Sequence, residues 1–426
     1  MKKSAQTRQI GASILALAAS AALAGTARAD ADIFARARVT PAGTIVTPGS
    51  SIARPQDRGR AAHTNVEIFV PRGAAMNASA PAGVFETPAS LACVYGLTAA
   101  VTGCNPETLT TVATGGSKTI AIVDAFDYPT AAADLSAFSK QFGLPAITGS
   151  NFRVVYASGS VPPQDSTGDW EVEEALDIEM AHALAPGANI ILVEAASNSY
   201  ADLYAAEKTA GGLVAAAGGG EVSNSWGGNE FSNEEDYEKY FKAANVVFFA
   251  STGDTNGPEV PATLSNVVAV GGTSIVRTLA GDFQGQVTWS DTGGGKSLVV
   301  PLPSYQHGLK KVLGTVRGTP DVALDANPLT GVWIYDTTPY GGNVLNWTVI
   351  GGTSVASPAV AALVNNAGTF NVNTEAELKE IYTNRGNVAE FTDITSGSCP
   401  NAASGRASKR YDLCTGIGTP LGVVGK

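Results

Sequence analysis

A serine at the start of an apolar helix pattern is the first candidate for chemistry in this chain. The tetrapeptide Gly-Gly-Thr-Ser at 351–354 is followed by Pro358 and the apolar run 359–364. A serine after a tight glycine turn presents its hydroxyl at the positive end of the helix dipole, and Pro358 in the first helical turn would cost no hydrogen bond. A helix-capping serine with no further role is the alternative. The same tetrapeptide occurs at 271–274 without proline or an apolar helix behind it, so only Ser354 has the full context.

A serine nucleophile needs a base, and the three histidines are poorly placed to supply one. His63 lies in the N-terminal arm, His307 in a polar turn, and His182 in a helix pattern among apolar residues. The sequence also lacks a Gly-x-Ser-x-Gly element around Ser354, which argues against a lipase-like α/β-hydrolase.

Two acids spaced one helical turn apart are the alternative source of a base. Glu173 and Asp177 stand at i and i+4 of the helix pattern 171–184, so their side chains lie on one face. Two like charges on a buried face are unfavourable unless they share a proton or serve chemistry. A solvated acidic helix start is the competing interpretation, and it suits Glu171 and Glu174 better than the other pair.

Short apolar strands alternate with helix patterns along most of the chain, and these elements would position the acids and the serine. The predicted strands are 119–123, 189–193, 245–249 and 267–270, and the predicted helices are 134–142, 171–184, 200–217 and 233–243. This alternation predicts an α/β domain with a parallel sheet covered by helices on both faces. Chemistry in such sheets collects at the carboxyl ends of the strands.

The first residues have the pattern of an export signal. Three basic residues within the first eight positions precede the apolar run 10–23 and a small-residue site at 27–29. We expect 1–29 to be removed and the protein to be secreted, into the extracellular space or the periplasm, with no membrane association after cleavage because no later run has the about 18 apolar residues of a span. A net charge of −11 argues against a nucleic-acid partner.

The four cysteines form two pairs that are close in sequence. In an exported chain this spacing predicts the disulfides Cys93–Cys104 and Cys399–Cys414. Zinc binding is the competing interpretation, but the chain has no Cys-x-x-Cys and only three histidines.

Residues 30–90 differ in composition from the rest and are rich in Pro, Ala, Thr and Arg. Apart from the alternating segment 66–70, they lack the periodic patterns of a folded domain. We expect a short pro-region or extended N-terminal arm here, followed by the catalytic domain over 91–426.

Taken together, these motifs resemble the sedolisin family, the serine-carboxyl peptidases of the subtilisin-like superfamily. The matching segments follow in unbroken order over about 118–424, which makes the resemblance specific. They are 120–124, 173–177, 185–188, 223–227, 251–254, 270–273, 289–297, 318–323, 351–358 and 415–418. The resemblance implies one subtilisin-like α/β catalytic domain that hydrolyses peptide bonds.

The resemblance also implies a role for each matching acid. Ser354 would be the nucleophile, Glu173 the general base in place of histidine, and Asp177 the carboxyl group that orients Glu173. Asp254 matches the family's oxyanion-hole acid, which donates a hydrogen bond only when protonated; a turn aspartate is the alternative for this position. Asp124, at a strand end, is a weaker candidate for the same network.

Two further sets of residues are implied in the same way. The edges that pair with a substrate backbone as an added strand would be Ser225-Trp226-Gly227 and the segment containing Ser251 and Gly253. One structural Ca²⁺ would be held by Asp393 and Asp412 with backbone carbonyls. The implied carbonyl ligands are Ile394, Ser408 and Arg410, the last two standing where the family has glycine; carbonyl ligands tolerate any side chain.

We therefore expect a secreted endopeptidase that acts on proteins or peptides in acid, through a Ser-Glu-Asp triad, as a monomer. A histidine-dependent subtilisin-type peptidase is disfavoured by the histidine positions. A catalytically inactive subtilisin-fold binding module would require one of the four catalytic residues to be missing, and all four are present. The chain departs from the family in its short pro-region, since sedolisins carry a long folded pro-domain.

Overall fold

The computed structural model describes residues 36–422 except Met76, Ser79, Asn256 and 401–404, so the predicted signal segment lies outside the described residues. The helices are α1 Pro88–Val94, α2 Ala131–Phe142, α3 Asp169–Leu184, α4 Tyr200–Ala216, α5 Lys310–Leu313, α6 Thr353–Ala367 and α7 Thr374–Thr383. The strands are β1 Arg36–Val39, β2 Gly43–Thr47, β3 His63–Thr64, β4 Glu67–Pro71, β5 Thr119–Ala125, β6 Phe152–Tyr156, β7 Asn189–Ala195, β8 Gly220–Asn224, β9 Trp226–Asn229, β10 Val246–Ser251, β11 Glu259–Val260, β12 Val268–Arg277, β13 Phe283–Thr288, β14 Gly295–Pro301, β15 Val316–Thr319, β16 Val322–Asp325, β17 Val332–Tyr340, β18 Asn343–Gly351, β19 Phe391–Thr392 and β20 Thr419–Pro420. Across these residues, none of the helices combines the length and the apolar character that crossing a bilayer requires.

An eight-stranded sheet forms the centre of the fold. Its order is β13-β12-β10-β8-β5-β7-β6, with β16 also paired to β12, and every pairing is parallel except that of β12 with β13. The central strand β5 is buried along its whole length, as its run of Ile, Val and Ala predicts. The α/β fold is therefore confirmed. One predicted helix, 233–243, is wrong in type: the chain forms a 3-10 helix over Glu234–Tyr240.

Helix α3 is enclosed by protein on all sides. It contacts α6, β5, α2 and β17, and each of its sixteen residues is buried. The expectation that Glu171 and Glu174 are solvated is wrong, because both side chains are fully buried beneath these neighbours. The acidic face of α3 consequently points into the molecule, where unpaired carboxylates are expensive to ionise.

Helix α6 lies against α3 and begins two residues earlier than a capping role for Ser354 would require. Gly352 precedes its first residue with φ +111°, a conformation that favours glycine. Pro358 is therefore inside the helix, and the expectation that it occupies the first turn is wrong. Because Pro358 has no N–H, the Ser354 carbonyl lacks its helical donor and accepts from the Ser225 hydroxyl at 3.3 Å instead.

The N-terminal arm is built into the described fold. Strands β2 and β4 pair with each other, and β4 also pairs with β18, giving an antiparallel sheet of order β1-β2-β4-β18-β17. Strand β3 joins a separate three-stranded sheet of order β11-β9-β3. Whether this segment is removed as a pro-region stays a prediction.

Both expected disulfides are present. Cys93–Cys104 joins the last turn of α1 to the loop after it, and Cys399–Cys414 closes the C-terminal loop, leaving no free cysteine among the described residues. Each closes a short loop, with a sequence separation of 11 and 15 residues respectively. Such bridges stabilise chiefly by restricting the unfolded chain.

Candidate functional site

The carboxyl ends of three parallel strands meet beside the beginning of α6. Asp124 lies near the end of β5, Ser225 directly follows β8, and Ser251 ends β10. These strands are neighbours in the sheet, so their ends form one edge. Helix α3 brings Glu173 and Asp177 to this edge, since α3 packs against both α6 and β5.

Asp254 is hydrogen-bonded to Thr353, the first residue of α6. Its Oδ1 atom accepts hydrogen bonds from the Thr353 backbone N–H at 2.7 Å and from the Thr353 hydroxyl at 2.9 Å. The Thr353 hydroxyl also accepts from the Gly253 N–H at 3.1 Å. The second oxygen, Oδ2, has no hydrogen-bond partner among the described residues. This arrangement leaves one carboxyl oxygen of Asp254 available to a ligand beside the helix N-terminus.

Burial gives Asp254 a strong preference for its protonated form. Desolvation raises the pKa of Asp254 well above its usual value, and the nearby carboxyl group of Glu67 raises it further. The two hydrogen bonds from Thr353 act in the opposite direction. A protonated Oδ2 would be a hydrogen-bond donor.

Glu173 and Asp177 are both fully buried, and Ser225 connects Asp177 to the nucleophile candidate. Asp177 Oδ1 accepts from the Ser225 hydroxyl at 2.8 Å. The hydroxyl of Ser354 donates to the Ser225 backbone carbonyl at 3.1 Å. Neither oxygen of Glu173 accepts a hydrogen bond of standard geometry from a described residue, although the Ser354 hydroxyl is near enough to lower its pKa in part.

Burial favours the uncharged form of the carboxyl groups at this edge. Burial raises the pKa values of Glu173 and Asp177 well above normal, and for Glu173 repulsion from Asp177 is the next cause. The pKa of Asp124 is raised by burial and then by Asp177 and Glu173. Three carboxyl groups thus titrate as an interacting set.

The residues expected to line a substrate edge also lie at this site. Trp226 and Gly227 belong to β9, whose antiparallel partner on one side is β3 and on the other β11. The Trp226 side chain is fully buried and donates from Nε1 to the Val123 carbonyl at 3.0 Å, so its backbone alone remains to pair with a neighbouring strand. Ser251 ends β10 and Gly253 follows two residues later, and Gly227 and Gly253 both adjoin the Glu259 carboxyl group.

Sequence reasoning missed three residues of the site: Thr353, which holds Asp254; Glu259, a buried acid next to Gly227 and Gly253; and Asn65 of the arm. Thr353 is adjacent to Ser354 and could have been found as a hydroxyl at a helix start. Nothing in the sequence around Asn65 or Glu259 marks either as part of a site.

The histidines lie apart from the proposed base position. His182 is buried and contacts the Pro145 carbonyl through Nε2 at 3.1 Å, whereas His307 is exposed. His63 lies in β3, with Nε2 at 3.5 Å from Glu259 Oε1. None of the three hydrogen-bonds to Ser354.

The residues expected to bind calcium lie around one C-terminal turn. Asp412 accepts from the Ser408 N–H at 2.8 Å, and Asp393 accepts from the Arg410 N–H at 2.9 Å. Burial raises the pKa of Asp412, and no ion pair joins it to a described basic side chain. The described residues contain no group of three or more His, Cys, Asp or Glu side chains arranged for a metal ion. Two carboxylates with backbone carbonyls nevertheless fit calcium in ligand type.

Comparisons with known proteins point in one direction. No protein-family profile matches the chain. Kumamolisin of Bacillus sp. (strain MN-32) is 34% identical over 312 residues, and sedolisin of Pseudomonas sp. (strain 101) is 26% identical over 295 residues. The matches cover 62% and 61% of this chain, but it spans only 51% and 48%, about half, of these curated relatives.

A solved structure of similar fold comes from the same group. It is Pseudomonas sedolisin (serine-carboxyl proteinase) complexed with two molecules of pseudo-iodotyrostatin, with a TM-score of 0.62 and 21% identity. The match covers 80% of this chain and 96% of that one. The chain is therefore similar in sequence to kumamolisin and sedolisin, and similar in fold to this sedolisin structure.

Proposed function

We propose that the chain is a secreted serine-carboxyl endopeptidase that hydrolyses peptide bonds of proteins or peptides in acid. The observation that carries the proposal is the convergence on Ser354: its backbone N–H and the unpartnered Oδ2 of Asp254 lie beside one helix N-terminus, and the carboxyl group of Glu173 lies near its hydroxyl. A nucleophile, a base and two oxyanion donors are the parts that acyl transfer requires.

In the proposed first step, Ser354 Oγ attacks the carbonyl carbon of the substrate while Glu173 accepts the hydroxyl proton. The Ser354 N–H and protonated Asp254 stabilise the negative charge that develops on the carbonyl oxygen. Asp177, held by the Ser225 hydroxyl, fixes the orientation of Glu173 and shares its proton.

Collapse of this intermediate breaks the C–N bond and leaves an ester on Ser354. The proton held by Glu173 passes to the leaving amine, so the first product departs with a free amino group. Water then attacks the ester, Glu173 takes a proton from the water, and Ser354 is regenerated as the second product leaves with a free carboxyl group. Each step uses only groups at the sheet edge described above.

The raised pKa of Asp254 favours an acidic working range. Asp254 must keep its proton to donate, and its ionisation as pH rises would replace a donor with a repelling charge. Glu173 can act as a base only in its ionised form, so the acid limb of activity follows the titration of Glu173, whose pKa burial raises. We expect a bell-shaped profile with its maximum at about pH 3 to 5, with carboxyl titrations on both limbs.

The location, calcium site and assembly are further parts of the proposal. The signal pattern at 1–29 supports secretion, and the negative charge disfavours nucleic acid. Asp393 and Asp412, with carbonyls of Ile394, Ser408 and Arg410, would hold one structural Ca²⁺, which would bring positive charge to a buried carboxylate. We propose that the protein acts as a monomer.

The decisive test compares two serine variants in the same tetrapeptide context. Purified protein should cleave casein at about pH 4, and Ser354→Ala should lower the rate on the order of 10³-fold or more. Ser274→Ala is the matched control, because Ser274 lies in strand β12 with no helix behind it and contacts Asn327 rather than the acids. Full activity in Ser354→Ala would end the peptidase proposal, and a maximum at pH 8 would assign the base to a histidine.

A further inference from the structure

Residues 60–66 of the arm, which we call the cleft segment, lie along the substrate edge 225–227. His63 pairs antiparallel with Gly227, and Thr64 with Trp226. On the other side, the Ala62 N–H donates to the Asn198 carbonyl at 2.9 Å, and the Asn198 side-chain amide donates back to the Ala62 carbonyl at 2.9 Å. The cleft segment is therefore bonded along both edges as an added strand, the way extended peptides bind to sheets.

The carbonyl group of Asn65 occupies the position proposed for the oxyanion. Its oxygen accepts from the Ser354 N–H at 3.2 Å. A Cβ atom added to Gly352 would collide with this oxygen and would lie 2.6 Å from Asp254 Oδ2, so both oxygens adjoin the same glycine. The Asn65 carbonyl thus faces the two groups that would stabilise negative charge on it.

The side chain of Asn65 fills a buried pocket beside Ser251. It is 1% exposed, and its amide nitrogen donates to Ser251 Oγ at 2.8 Å. Gly227 and Gly253 form the walls, and an added Cβ on either would lie 2.5 Å from the Glu259 carboxyl group. Since Glu259 Oε2 has no partner among the described residues, the pocket offers acceptor oxygens and suits a hydrogen-bond donor.

The residue after Asn65 is held separately. Val66 is buried, and its N–H donates to Ser51 Oγ at 3.4 Å while its carbonyl accepts from the same hydroxyl at 3.0 Å. Directly after it, strand β4 pairs with β18 and with β2. The Asn65–Val66 peptide bond is thereby fixed on both sides, with its carbonyl toward Ser354.

We propose that the cleft segment is bound as a substrate, that the chain cuts its own Asn65–Val66 bond, and that Ser251 makes the pocket selective for an asparagine side chain. The inference rests on the proposed peptidase function and adds its substrate class. Ser354 Oγ forms an ester with the Asn65 carbonyl carbon, Glu173 passes the hydroxyl proton to the Val66 nitrogen, and the C–N bond breaks. Water then hydrolyses the ester, giving a carboxyl group on Asn65 and a free amino group on Val66.

The two pieces would remain associated after such a cut. Strand β2 on one piece stays paired with β4 on the other, so the nick would be invisible to size measurements under native conditions. It would add the mass of one water to the intact chain and would separate into two fragments on denaturation. The cut must therefore be measured as two fragments after denaturation.

The experiment follows the full chain at about pH 4 by mass spectrometry after denaturation. We expect fragments that end at Asn65 and begin at Val66, absent in Ser354→Ala. Asn65→Leu and Ser251→Ala should each slow the cut about 3- to 10-fold, the effect of one lost neutral hydrogen bond. Melting curves of both variants check that they fold.

Peptide substrates separate this inference from the peptidase proposal. Nicked protein is given Ala-Thr-Asn-Val and Ala-Thr-Leu-Val peptides, and we expect the first to be cut faster, with the preference lost in Ser251→Ala. Casein cleavage together with an intact 65–66 bond, or a preference for leucine or arginine over asparagine, would overturn the inference alone. Failure to cleave casein, both peptides and the arm would overturn the peptidase proposal itself.

Discussion

The carboxyl group of Glu194, near the end of β7, allows the acid preference of this fold to be measured at a single residue. The side chain is fully buried, Oε1 accepts from the Tyr128 N–H at 3.3 Å, and the Asp127 carboxyl group lies within hydrogen-bonding reach. Burial, followed by repulsion from Asp127, raises its pKa from 4.5 to about 8. We predict that Glu194→Gln, which keeps the shape and the acceptor, makes the protein less sensitive to rising pH.

The sign and size follow from proton linkage. A pKa that is raised in the folded chain contributes stability that is complete below about pH 4.5 and is lost as pH rises toward 8. Between pH 5 and pH 7, the loss for this carboxyl group is about 2 to 3 kcal/mol of unfolding free energy. Because glutamine does not titrate, the variant avoids that loss. Removing the Glu194 charge also lowers the raised pKa values of Glu174 and Asp124, which acts in the same direction.

The assay is urea denaturation of parent and variant at pH 5, 6 and 7, both carrying Ser354→Ala to prevent self-digestion. The difference in unfolding free energy should move by about 2 to 3 kcal/mol in favour of Glu194→Gln across this range. Glu375→Gln is the control, because Glu375 is half-exposed and its Lys379 partner lowers its pKa, so its difference should stay flat. If the difference in unfolding free energy between parent and Glu194→Gln does not change from pH 5 to pH 7, the reasoning is refuted, since the buried carboxyl group would then titrate normally.

Two further predictions concern the proposed oxyanion acid and the calcium site. Asp254→Asn donates at any pH, so it should lower the maximal casein rate yet retain a larger fraction of its activity at pH 7 than the parent retains; a profile that falls at the same pH would remove Asp254 from the alkaline limb. Calcium should raise the melting temperature and a chelator should lower it, with Asp412→Asn abolishing both responses while keeping an acceptor for the Ser408 N–H. A melting temperature indifferent to calcium and chelator in the parent would exclude the site.

Local sequence patterns predicted the structure correctly where the contacts that decide it join residues close along the chain. The i, i+4 spacing of Glu173 and Asp177 fixes their common helix face, and the apolar run 119–123 fixes a buried strand. Both disulfides join cysteines fewer than twenty residues apart and were predicted from spacing. Where local pattern was wrong, neighbours decided: the helix start favoured solvent for Glu171 and Glu174, yet surrounding elements bury them.

Only the tertiary structure decided which residues face Ser354. Asp254 and Thr353 are 99 residues apart, and Asn65 lies 186 residues from Ser251, so no sequence period relates them. Parallel strands place their carboxyl ends on one edge of the sheet whatever their order in the chain. Which strands are neighbours in the sheet became known only from the structure. By itself the sequence determined the fold class, the helix that carries the acids and the serine at a helix start. The position of Asn65 beside Ser354 depends on long-range strand pairing. The register of that pairing is set by the assembled sheet edges and not by the residues of the arm alone.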